Sequence, residues 1–255
     1  MIYGKNPLIE VLCQLRYPSI LLIDSDVPAV FQDKIRTSYP LFAEGQQSEL
    51  KVDLPQEVVE LSKGAFPKTL RAGKASYDFV SADKKWKVGL TRDFLALSTT
   101  KYRQWEKFKE HLNLPLLTLI DVYKPPFFSR IGLRYRDVIK RSKLGLKETP
   151  WAELLKPNIV GELASEEIAT CITGIAKMVQ FKLPDENCEI LMQHGFVQDQ
   201  EAETCYIIDT DFFMDENTEV NDAITRLNTL NQISRGLFRW CITDRLHEAM
   251  EPNPL

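Results

Sequence analysis

A chain of 255 residues is long enough to bury a sizeable core, as one large domain or two small ones. Its 44% hydrophobic and 27% charged content is that of an ordinary globular protein, and no apolar run approaches the ~20 residues that cross a bilayer, so a membrane helix is excluded from the reading. A net charge of −4 gives no global attraction to nucleic acid or anionic lipid.

The first residues, Met1 to Pro7, lack the apolar stretch of a signal peptide. The cysteines Cys13, Cys171, Cys188, Cys205 and Cys241 are odd in number and scattered, and no CxxC occurs. That argues against a disulfide framework or a zinc site and predicts a cytoplasmic protein. Residues 8–17 alternate: Ile9, Val11, Cys13, Leu15 and Tyr17 share one face, with Glu10, Gln14 and Arg16 on the other, which predicts a strand with one buried face. A helix is expected next, capped by Asp26, with Pro28 in its first turn, an apolar stripe of Val27, Val30, Phe31 and Ile35, and a stop at Pro40. Short strands are expected at 49–54 and 58–61, and a loop at 63–74. A hairpin of 76–81 and 86–90 follows, then a third strand at 94–98. A helix from about Tyr102 turns Trp105, Phe108 and Leu112 inward, and Asn113 and Pro115 are expected to break it before a second segment carrying Leu116, Leu119, Ile120 and Tyr123.

Pro125 and Pro126 punctuate the middle, and the pattern restarts. Residues 127–139 alternate, with Ile131, Leu133, Tyr135 and Ile139 opposite Arg130, Gly132, Arg134 and Arg136. A short helix at 151–155 and strands at 168–183, 188–197 and 204–213 follow. The last expected element is a long helix from about Thr218 to Met250, weakened at Gly236, with Thr243 able to cap a separate final stretch. The predicted class is α+β, with a mostly antiparallel sheet covered by helices on one face. Two pseudo-equivalent strand–helix–meander–helix halves are expected, 1–123 and 124–255. The tripeptide Leu-Arg-Tyr supports them, since it occurs at residues 15–17 and again at 133–135, an offset of 118.

Several stretches together resemble a sporadically distributed, uncharacterised family of bacterial and archaeal proteins of about this length. They are Asn6 to Val11 with Gln14 to Pro18, Leu90 to Leu95, Tyr102 to Trp105, Arg130 to Tyr135, and Ile208 to Phe212. The resemblance brings no established activity. Its patchy distribution implies a context of antiviral defence, such as a CRISPR-linked system, or of mobile elements. Against the family pattern, this chain carries Arg136 and Asp137 where relatives tend to have an uncharged pair, and Asn231 where a His is common, which speaks against catalysis at that helix position.

Three constellations are candidates for function. Glu10, Gln14 and Arg16 with Arg130, Arg134 and Arg136 form a polar strand face, and if the strands are neighbours Glu10 would pair with Arg130 or Arg134. Such arginines read either as an anion site or as internal ion pairing, and the second reading ranks first. Asp209 and Asp211, two apart on a strand, point the same way and could hold Mg²⁺ in a metal-dependent hydrolase, but a solvent-facing strand edge ahead of a helix is the reading that ranks first. Charge is also segregated: seven basic residues lie between Arg130 and Lys147, and twelve acids with no Lys or Arg lie between Leu183 and Thr225. The basic run could meet phosphates, or the two stretches could face each other in the fold. No Walker, GxGxxG, GxSxG or HExxH pattern occurs, and no catalytic constellation or cofactor is predicted. The leading expectation is a non-catalytic protein-interaction or assembly component that binds a protein partner or a second copy of itself. A nucleic-acid binder using 130–147 and a metal-dependent hydrolase at Asp209 and Asp211 are the alternatives.

Overall fold

In the computed structural model, residues 2–45 and 76–253 are described. The strands expected at 49–54 and 58–61 and the loop at 63–74 lie outside them. Strands β1 (Ile2–Tyr3) and β2 (Leu8–Arg16) come first, followed by helices α1 (Leu22–Ser25) and α2 (Ala29–Ile35) and strand β3 (Leu41–Gly45). Strands β4 (Ser76–Val80), β5 (Trp86–Leu90) and β6 (Phe94–Thr99) form a meander that leads into helix α3 (Trp105–Tyr123). Strand β7 (Arg130–Ile139) then precedes a short α4 (Pro157–Val160) and a second meander of β8 (Ala176–Leu183), β9 (Cys188–Gln198) and β10 (Thr204–Met214). Helices α5 (Ala223–Cys241) and α6 (Asp244–Ala249) and strand β11 (Pro252–Asn253) complete the described chain.

The expected α+β class holds, with one nine-stranded sheet in the order β3-β4-β5-β6-β2-β7-β10-β9-β8. Every pairing in it is antiparallel. The ladder between β2 and β7 lies at its centre and joins the two stretches 1–123 and 124–255 into one sheet. Period-two alternation sorts this ladder into two faces. Leu15 opposite Ile131, Cys13 opposite Leu133 and Val11 opposite Tyr135 lie on one face; Arg16 opposite Arg130, Leu12 opposite Arg134 and Glu10 opposite Arg136 lie on the other.

The apolar face carries the core. Trp105, Phe108, Leu112, Leu116 and Leu119 of α3, and Leu227 and Leu230 of α5, pack onto Val11, Cys13, Leu15, Leu97, Ile131 and Leu133. A second cluster on the same face gathers Leu154, Leu155 and Ile159 against Ile139, Tyr206 and Ile208, closed by Ile242, Leu246 and Met250.

Four predicted elements differ from the observed ones. Asp26 caps no helix: α2 begins directly after Pro28, and only Phe31 and Ile35 of the expected stripe are buried, while Val27 and Val30 are exposed. Pro115 does not break α3. A proline in a helix removes the bond to the carbonyl four residues back. Here that carbonyl, on His111, accepts the Tyr39 hydroxyl at 3.0 Å instead, so the helix runs on unbroken. The strand expected at 168–183 is only its second half, β8; its start is a 3₁₀ turn over Ala169–Cys171. The long last helix divides because Ile242 is extended and bridges to Leu155. Gly236 does not interrupt α5, and Thr243 caps α6 as expected, its side chain accepting from the Leu246 amide.

One glycine is required by close packing. At Gly195 of β9 the backbone of Ile175 and Ala176 crosses so near that an added Cβ would overlap the Ile175 carbonyl. Gly195→Ala is therefore expected to lower stability by about 1–3 kcal/mol in denaturant titrations, as overpacking against an immovable backbone does. An unchanged midpoint would show that the start of β8 yields freely.

Candidate functional site

The polar face of the β2–β7–β10 sheet brings all the sequence-predicted site residues together. Antiparallel register sets the partners. Glu10 lies opposite Arg136 and accepts from its Nη1 at 3.0 Å, so the expected pairing of Glu10 with Arg130 or Arg134 is replaced. Arg134 makes a bidentate fork on Asp209, Nε and Nη2 each 2.7 Å from a carboxylate oxygen. Arg136 Nε stands 3.2 Å from the same carboxylate, within Coulombic reach though not aligned as a hydrogen bond. Arg130 donates to Asp211 at 2.8 Å, and its guanidinium lies 4.3 Å over the Phe213 ring. It reaches them by lying across Gly132, where an added Cβ would oblige the guanidinium to shift. Arg16 donates to Gln14 Oε1 at 3.0 Å.

Electrostatics follow from this packing. Burial works against the Arg134 charge, but Asp209 more than offsets it, and the Arg134 pKa is raised. Burial and the neighbouring Arg130 guanidinium lower that of Arg16. The two segregated charge blocks of the sequence meet: besides these pairs, Lys140 contacts Asp199, Glu201 and Glu203. Asp209 and Asp211 do share a face, but both carboxylates bind guanidinium groups. Among the described residues no group of three or more His, Cys, Asp or Glu is placed to hold a metal ion. Cys188 and Cys205 are buried, and burial pushes each thiol up to about 11, so neither supplies a thiolate nucleophile near neutral pH.

A second site lies on the opposite, helix-covered face. A cavity of about 350 Å³ opens between the sheet, the N-terminal end of α3 and the inner side of α5. Tyr135 and Phe212 form part of its floor, their rings meeting edge-on at 6.2 Å. Tyr102, ahead of α3, stands edge-on to Tyr135 at 5.9 Å. Asn231 Nδ2 donates to the Tyr135 hydroxyl at 2.7 Å, which places a buried amide in the wall. Asp137 also lines the cavity, 9% exposed, with its carboxyl pushed up to about 8 by burial and by the charge of Asp209.

The sequence reading missed this cavity, although two signals for it were present. Asp137 continues the apolar series Ile131, Leu133, Tyr135, so it is an acid at a position facing the core. Asn231 likewise interrupts the apolar stripe of the last long helix. No protein-family model matches this chain, and no curated protein sequence matches it.

Proposed function

We propose that this chain is a non-catalytic interaction component that accepts an extended segment of a partner protein along β8. The observation that carries the reading is the free outer edge of β8. Among the described residues this strand pairs only with β9, so one row of its backbone N–H and C=O groups has no ladder partner over eight residues that contain no proline. Such an edge is a template for another strand. Met178 on it is 63% exposed, while Val179 and Phe181 are half-buried against the core. Lys177 and Lys182 contact Glu162 and Glu189, which lowers the charge an incoming strand would meet.

The polar face supports the same class of function. Arg130, Arg134, Arg136 and Lys140 are matched by carboxylates, and Arg141 donates to the Thr149 carbonyl at 2.7 Å, which leaves little of the basic run for phosphates. The two halves also fit a duplication. The offset of 118 carries the pair Arg16–Arg130 onto Arg134–Leu12, both in the same ladder. Membership of the sporadic family, with a role in defence or mobile elements, is part of this proposal, as is assembly in the cytoplasm.

The test uses two neighbouring prolines. Successive N–H groups of an antiparallel edge strand point alternately inward and outward, so of Met178→Pro and Val179→Pro one removes only an outward donor. A partner retained from the organism that encodes the chain should be lost, by about tenfold in affinity, from the variant that stays folded. Equal retention by both variants, or a strictly monomeric chain retaining no partner, would overturn the proposal.

A further inference from the structure

The cavity between the sheet, α3 and α5 carries an inference independent of the β8 edge. Its floor holds two polar side chains that have no hydrogen-bond partner among the described residues: the Asp137 carboxyl, 9% exposed, and the Thr210 hydroxyl, in a residue 5% exposed. Their polar atoms are open to the cavity and carry no hydrogen bond among the described residues, so both are available to a polar group bound there. The walls are aromatic, chiefly Tyr102, Tyr135 and Phe238. Two more lining residues, Arg103 and Arg235, are exposed, and neither has an ion pair or hydrogen bond among the described residues. Arg239, which also lines the cavity, is already held by Asp244 and by the Ile242 carbonyl.

We infer that this cavity binds a small aromatic anion, its ring against the wall of Tyr102, Tyr135 and Phe238, its carboxylate or phosphate monoester at Arg103 and Arg235, and a polar ring substituent on Asp137 and Thr210. The volume of about 350 Å³ is in the range of small-molecule sites, ~300–1,000 Å³. Guanidinium groups suit both anionic heads through paired N–H donors. An aromatic wall of this kind accepts a flat ring by offset or edge contact. Because Asp137 is held in its acid form near neutral pH, it meets the ligand as a hydrogen-bond donor and does not repel its charge. Nucleoside monophosphates and hydroxylated aryl carboxylates share this chemistry.

The experiment is a thermal-shift and calorimetric screen of the full chain. The probes are the four ribonucleoside monophosphates and 4-hydroxycinnamate, with the four ribonucleosides, neutral 4-hydroxycinnamyl alcohol and inorganic phosphate as controls. At least one anion should bind and raise the melting temperature, and its neutral counterpart should bind about tenfold or more weakly. Phosphate alone should have no comparable effect. The double variant Arg103→Ala, Arg235→Ala should weaken that anion by at least about tenfold while its ligand-free melting temperature stays unchanged, since both side chains are exposed and unpaired. Whichever anion binds distinguishes the phosphate source from the carboxylate source. If no probe binds more tightly than inorganic phosphate, if neutral and anionic forms bind alike, or if the double variant binds unchanged, the inference is overturned.

Discussion

Replacing Asp209 with alanine is expected to destabilise the protein by about 3 kcal/mol, a melting-temperature loss of roughly 6–12 °C for a chain of this size. Asp209 is 3% exposed and receives both forks of Arg134 and the nearby Nε of Arg136. Its removal strands a buried guanidinium at Arg136 with Glu10 as its one remaining carboxylate partner among the described residues. Losing one member of a buried charge pair costs ~3–5 kcal/mol, and the partial exposure of Arg134 puts this case at the lower end. Asp211→Ala is expected to cost less, because the Asp211 side chain is 20% exposed against 4% for Asp209. Asp209→Asn also separates two readings of the site. If Asp209 is the anchor of an ion-pair network, the amide destabilises. If Asp209 and Asp211 await a metal, removing one charge relieves repulsion and stabilises the metal-free chain, and Mg²⁺ or Mn²⁺ raises the melting temperature of the unsubstituted protein. Stabilisation by Asp209→Asn would therefore reverse the ion-pair reading.

Asp137→Asn is expected to act in the opposite direction, and only at higher pH. The folded protein holds the Asp137 carboxyl at about 8, far above its ordinary value, so the native state binds this proton more tightly than the unfolded chain does. The stability from Asp137 is complete below about pH 4 and drains away as pH rises towards 8. Asparagine has no proton to lose. The difference in stability between variant and parent should be close to zero near pH 4 and should grow steadily to about pH 8, with the variant the more stable. A sealed carboxyl with this pKa would account for ~5–6 kcal/mol; because the side chain faces a cavity and not solid packing, about 2–3 kcal/mol is expected. Denaturant titrations of both proteins from pH 4 to 9 measure it. A difference that does not change with pH would rule out titration of Asp137 as the cause.

Much of the sheet was legible because strand alternation is a local property. Residues 8–17 and 131–139 declared their apolar faces, and Val11, Cys13, Leu15, Tyr17, Ile131, Leu133 and Ile139 are buried as read, whereas Tyr135 is half-buried and Ile9 falls at an irregularity in the ladder, where Leu8 packs on the core instead. What failed depended on distant residues. Nothing near Pro115 announces that Tyr39 will satisfy the carbonyl the proline releases, and nothing near Ile242 announces its bridge to Leu155. The membership of the arginine site was readable, since side chains two apart share a face. Its pairing was not, because it depends on the register between strands over a hundred residues apart, which sets Glu10 against Arg136. The cavity was hidden for the same reason: Asp137, Asn231 and Tyr102 belong to three separate elements, and only tertiary packing places them around one space.

The central position of the β2–β7 ladder has a consequence for synthesis. During translation β2 is made almost at once, but one of its two flanking strands, β7, is complete only at residue 139, and the β10 strand beyond it only at residue 214. A nascent chain carrying only its first half thus holds the middle strand of the final sheet with one edge bare. The closing pair is more distant still, joining Ile2 to Asn253. Contacts of such long sequence separation slow folding and lengthen the exposure of unpaired edges. The feature that unites the molecule is also the one that forms late, and it makes the ribosome-bound first half the form of this protein most in need of a chaperone.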